Sequence, residues 1–137
     1  MGRILNLSVA LPPAPATIRT ILTVDDSFAM RDILRAALTS VGFTVLQAED
    51  GEAALELLAT RSVDLIITDL NMPRLDGIGV IEQVRRGGPH VATPILVLSS
   101  ESCPDKRERA RLAGATGWIV KPFSVGGLLD AIRRVAA

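Results

Sequence analysis

A lone cysteine, Cys103, rules out an internal disulfide and fits a reducing compartment. Tyrosine is absent and aromatics make up 3% of the chain, so no platform exists on which bases would stack. Fifteen Lys and Arg balance fifteen Asp and Glu, and zero net charge gives no general pull toward nucleic acid or an anionic membrane. No apolar run approaches the ~20 residues that a membrane span needs. What remains is the composition of an ordinary globular protein, 48% apolar and 22% charged. At 137 residues it is long enough for one domain with a proper core. These limits predict a cytoplasmic protein with neither nucleic acid nor membrane as a partner.

The start of the chain reads differently from the rest. Residues 1–19 hold a mildly apolar stretch and then Pro12-Pro13-Ala14-Pro15-Ala16. Asn6 and Ser8 interrupt the stretch and only Arg3 precedes it, so it makes a poor signal peptide. Met1-Gly2 lacks the Ser or Thr at position 6 that myristoylation needs. A flexible Pro/Ala-rich extension is the expectation for 1–19, with the folded domain over 20–137.

From Arg19 onward, strand and helix patterns alternate five times. Met30, Ile33, Leu34, Ala37, Leu38 and Val41 follow the spacing of one buried helix face, with Ser27 as its N-cap and Gly42 as its stop. Further helices are predicted at about 51–60, 78–86, 105–113 and 125–136. The strands Thr20–Val24, Leu65–Thr68, Ile95–Leu98 and Gly117–Val120 are continuous apolar runs rather than alternating ones; a fifth is Thr44–Ala48. Continuous runs mark a parallel sheet covered on both faces by helices, an α/β fold.

Polar residues stand where those runs end. Asp25-Asp26, Asp69, Ser99 and Lys121-Pro122 each close a strand, and ligand sites of open α/β sheets lie beyond the strands' carboxyl ends. Asp25-Asp26 alone could cap a helix, Asp69 alone could be a turn residue, and Ser99 alone says little. Together they put three acids, a hydroxyl and an ammonium at one edge. Three close carboxylates stay ionised only around a cation, and oxygen-only ligation suits Mg²⁺, with Mn²⁺ able to substitute. The ammonium and hydroxyl then remain to hold a phosphoryl group. Only Lys106 and Lys121 are lysines, and a slim ammonium reaches where a guanidinium fork does not fit. An aspartyl-nucleophile phosphatase would want a second acid two positions after Asp69, where Asn71 stands.

Other candidates are weaker. His90 has no second metal ligand nearby, Cys103 has no His partner, and Asp76-Gly77 reads as a turn and helix start. Lys106, Arg107, Arg109 and Arg111 form either a solvated helix face or a dock for an acidic partner.

Val24-Asp25-Asp26-Ser27, Asp64 through Gly77, and Gly114 through Phe123 together resemble the receiver domain of two-component response regulators, over Thr20 to Val135. The details resemble the single-domain chemotaxis regulators of the CheY type. The resemblance implies a flavodoxin-like (βα)5 doubly wound sheet of order 2-1-3-4-5. It implies that Asp69 is the phosphoacceptor, served by a chemotaxis-type histidine kinase, and that the chain is no enzyme beyond its own phosphorylation and dephosphorylation. Asp26 would bind Mg²⁺ directly and Asp25 through water, with Asp69 and the Asn71 backbone carbonyl completing the set. Ser99 and Lys121 would contact the phosphoryl oxygens, with Lys121-Pro122 in cis. Asn71 and Glu101 would control dephosphorylation, making the phosphorylated state short-lived. Ser99, Trp118, Arg107 and Arg111 would form the output switch toward an effector such as a flagellar motor switch component. The chain's end soon after the last helix carries the expectation of no attached output domain. A phosphate sink or relay without motor output, or a scaffold locked in one state, are the rivals. Ser99 stands where Thr is commoner, and Trp118 where Tyr or Phe is usual.

Overall fold

The computed structural model describes residues 18–100 and 103–136. Five strands, β1 (Thr20–Val24), β2 (Thr44–Ala48), β3 (Leu65–Thr68), β4 (Ile95–Ser99) and β5 (Gly117–Val120), form one parallel sheet of order β2-β1-β3-β4-β5. Five helices alternate with them: α1 (Phe28–Thr39), α2 (Gly51–Thr60), α3 (Gly77–Arg86), α4 (Pro104–Ala113) and α5 (Val125–Ala136). This is the flavodoxin-like fold expected.

Successive residues of a strand point to opposite faces, and here both faces are buried. Leu22, Ile66, Ile95 and Val97 join one core with α2, α3 and α4. Ile21, Leu65, Ile67, Leu96 and Leu98 join a second core with Leu34 and Leu38 of α1 and Leu128 and Ile132 of α5. The chain turns one way from β1 to β2 and the other way from β3 onward. A cleft therefore opens beyond the ends of β1 and β3.

Two expectations need correction. The face of α1 is narrower than its spacing suggested: Leu34 and Leu38 are buried, whereas Ile33 and Val41 are about half exposed, at 52% and 50%. The helix rests on the sheet near its edge, so one stripe of side chains suffices to cover it. Gly42 does not itself end α1, which stops at Thr39. It takes the left-handed turn that follows, at φ 103°. β5 is the edge strand that the expected order implies, with Trp118 packed on the first core, Ile119 on the second, and Val120 exposed.

Two side chains brace the sheet. Arg85 of α3 donates to the carbonyls of Val91, Thr93 and Gly114 at 2.7–3.0 Å, joining the segments that lead into β4 and β5. His90, at 6% exposure, accepts the Val63 N–H on Nε2 at 3.2 Å. Burial pushes the His90 imidazole below its ordinary 6.5. A folded state that prefers the neutral form is stable above the unfolded pKa and loses that contribution as pH falls through 6.5 toward the folded value. Chemical denaturation at about pH 7.5 and about pH 5.5 should show a larger loss for wild type than for His90→Gln, which accepts without titrating. Equal losses would remove His90 as the cause.

Candidate functional site

The end of β1 delivers Asp25 and Asp26, and the end of β3 delivers Asp69, because the two strands pair in register up to Val24↔Thr68. The Asp69 N–H donates to the Val24 carbonyl at 2.8 Å, which carries the alignment one step past the sheet. The three carboxylates offer oxygens that all lie within 4.8 Å of one another. Asp25 is buried, Asp26 exposed and Asp69 intermediate. One edge of the cluster is thus open to solvent.

Asp25 is not the cap of α1. Ser27 holds that role, its Oγ accepting from the Met30 N–H at 3.2 Å, while Asp25 Oδ1 accepts from the Ser27 N–H at 2.9 Å. Its other oxygen accepts from Lys121 Nζ at 3.0 Å. Lys121 also lies 3.7 Å from Asp69 Oδ1, so one ammonium serves two carboxylates. It comes from the loop after β5 across a cis Lys121-Pro122 bond.

Burial pushes the Asp69 carboxyl above the ordinary carboxylate range. The Lys121 ammonium and the Leu70 N–H, which donates at 2.8 Å, pull it back down, while Asp25 and Asp26 add to the rise. A single lysine thus leaves the acids undercompensated. An oxygen-only donor set short of positive charge fits a hard divalent cation such as Mg²⁺. Asp25, Asp26, Asp69 and the Asn71 carbonyl are the groups that could hold one.

Ser99 is fully buried at the end of β4, and its carbonyl accepts from the Lys121 N–H at 2.9 Å. Asn71 is exposed in the loop after Asp69. Glu101, expected to control dephosphorylation, lies outside the described residues, as do residues 1–17 of the extension predicted over 1–19. Asp76 caps α3 through the Gly79 N–H at 2.8 Å and takes no part in the cluster.

Trp118 lies on the α4 side of β5 and packs on the first core. Arg107 sits over its ring at 6.0 Å, and its buried Nε1 finds no partner among the described residues. Arg111 is tied to Glu108 at 2.6 Å, so Arg107 and Arg111 are not equivalent. A cavity of about 350 Å³ opens between α4 and β5, lined by Arg107, Glu108, Arg111 and Trp118 among others.

The sequence reading missed three groups: Arg31, Asp50 and Arg74. Arg31 Nη1 donates to the Asp25 carbonyl at 2.6 Å and stacks on Phe28, bracing the first acidic turn. Arg74 pairs with Asp50. No local pattern pointed to either contact.

A family model described as "Response regulator receiver domain" matches residues 21–133. The response regulator MprA of Mycolicibacterium vanbaalenii is 41% identical over 113 residues, covering 82% of this chain and 48% of that protein. The chain thus spans about half the length of that relative. The Vibrio cholerae chemotaxis protein CheY4 is similar at a TM-score of 0.83 and 38% identity, covering 87% of this chain and 99% of that one. The receiver domain of a Pseudomonas aeruginosa sensor histidine kinase, solved with a magnesium ion coordinated in its active-site cleft, gives 0.80 at 27% identity. It covers 88% of this chain and 98% of that one. With three acids gathered at the switch point of a five-stranded parallel sheet, the chain belongs to the response regulator receiver domain family.

Proposed function

We propose that this chain is a Mg²⁺-dependent phosphorylation switch with Asp69 as phosphoacceptor and a histidine kinase as phosphodonor. The observation that carries the reading is the meeting of three carboxylates within 4.8 Å beside a single ammonium. In the transfer, an Asp69 oxygen attacks the phosphorus of a phosphohistidine. The new P–O bond forms as the P–N bond breaks, and the imidazole leaves with the electron pair. Lys121, 3.7 Å from Asp69 Oδ1, is within reach of the oxygens that then gain charge. Asp25, Asp26, Asp69 and the Asn71 carbonyl would hold the Mg²⁺, which would supply the remaining charge compensation. Ser99, buried at the end of β4, is the hydroxyl that would meet the phosphoryl group.

The finer reading is a chemotaxis regulator, supported by the likeness to CheY4 over 99% of that chain. Output would pass through α4 and β5, where Arg107, Arg111 and Trp118 surround the cavity and the unpaired Trp118 Nε1 offers a donor. An effector segment rich in carboxylates suits that lining. A purified flagellar switch protein should bind more tightly after acyl phosphorylation or addition of a beryllofluoride mimic. Equal binding, or none, in both states would favour the phosphate sink.

Three further outcomes are expected. Asp69→Asn should abolish labelling by phosphokinase or acetyl phosphate; labelling at the normal rate would remove Asp69 from the mechanism. Asp26→Ala, which removes one of three repelling carboxylates, should lose the Mg²⁺-induced rise in melting temperature while the metal-free value holds or rises. Asp25→Ala should in addition lower metal-free stability by about 1–2 kcal/mol, because the Ser27 N–H and Lys121 lose a buried acceptor. A full Mg²⁺ response in both variants would sink the ligand assignment. Asn71→Arg should lengthen the phosphorylated lifetime by shielding the phosphoryl group from water, measured by release of labelled phosphate; faster or unchanged decay would count against that role.

A further inference from the structure

The loop 70–76 between Asp69 and α3 is held from outside by a contact that no site residue makes. Arg74 has φ 67°, the one positive value outside glycine among the described residues, in a region that side chains beyond Cβ disfavour. Its guanidinium pairs with the carboxylate of Asp50, a residue at 1% exposure, and lies 3.4 Å from Glu52. Asp50 is itself fixed, since its other oxygen accepts the Ala53 N–H at 2.8 Å as the N-cap of α2. The backbone of the loop leans on the same helix start. A Cβ added at Gly51 would fall 2.3 Å from the Leu75 carbonyl oxygen. At the loop's far end, a Cβ at Gly77 would fall 2.3 Å from the Asp69 carbonyl oxygen.

We propose that the Arg74–Asp50 ion pair is a positioning clamp: it docks the loop on the start of α2 and sets the Asn71 carbonyl against the three carboxylates. The inference rests on the reading of this cluster as a Mg²⁺ site. Asn71 lies three residues before Arg74 and is exposed, as are Pro73 and Asp76. Between them Met72 and Leu75 are only partly buried against the core. Among the described residues, the ion pair is therefore the loop's one charged anchor to a buried partner. Residues that orient a metal ligand from outside the first contacts commonly change affinity without touching the ion.

Two substitutions separate this role from a merely structural one. Arg74→Gly removes the guanidinium but relieves the positive φ, which offsets part of the cost of leaving the buried Asp50 carboxylate unpaired. Asp50→Asn keeps a good N-cap while breaking the ion pair. Each should weaken Mg²⁺ binding by about ten-fold in isothermal titration, the lower end for such outer contacts. The double variant should be little worse than either single one. In the metal-free protein, the Leu75 and Gly77 amides, which donate to the Pro73 and Leu70 carbonyls at 2.8 Å, should exchange with deuterium faster in both variants. Wild-type Mg²⁺ affinity in both variants would overturn the clamp. A wild type that fails to bind Mg²⁺ would instead overturn the site reading. The exchange rates would then still decide whether Arg74 holds the loop, and unchanged rates would dismiss that as well.

Discussion

Two unit charges 4–5 Å apart repel by about 3–4 kcal/mol at an effective dielectric of about 20. Asp25, Asp26 and Asp69 put three carboxylates inside that distance, with Lys121 as the one ammonium beside them among the described residues. A fold meets such a cost only when its backbone leaves the acids no other place. Here the placement follows from two adjacent parallel strands that end at the same level, Val24 beside Thr68. The sheet order makes this the point where the chain reverses direction, so no helix covers the cleft. Burial raises the Asp69 carboxyl, Asp25 and Asp26 add to the rise, and the excess of acids calls for a divalent cation. Phosphoryl chemistry is then the use to which an oxygen nucleophile, a metal and an ammonium are suited.

Much of this was legible in the sequence, for a definite reason. A strand buried on both faces is an uninterrupted apolar run, and its end is marked by the first polar residue. Asp25, Asp69, Ser99 and Lys121 therefore announced themselves by position, and parallel pairing brought them to one edge. The neighbouring supports did not announce themselves. Arg74 reaches Asp50 across 24 residues and Arg85 reaches Gly114 across 29, and neither pairing has a local periodicity to betray it. Arg31 meets the Asp25 carbonyl over an interval of six that matches no helical turn. The burial of α1 was overread for a related reason. An apolar spacing tells which residues share a face, whereas the width of sheet beneath decides how many are covered, leaving Ile33 and Val41 half exposed.

The helices are unequally bound to the sheet, and this inequality bears on how a charge change at Asp69 could be transmitted. α3 buries Gly77, Ile78, Val80, Ile81 and Val84, whereas α4 buries Ala110 alone. A helix with one buried residue and a solvated face shifts or opens at lower cost than its neighbours. α4 also covers Trp118, through Arg107 over the ring, on the strand that leads directly into Lys121. Any rearrangement that draws Lys121 toward a phosphoryl group pulls on the end of β5, two residues beyond Trp118. The indole Nε1 has no partner among the described residues, so the present packing of that ring withholds a hydrogen bond that another arrangement could make. The least anchored helix and an unsatisfied buried donor thus lie together on the strand that carries the site's ammonium, which is where a small electrostatic change would move the most structure.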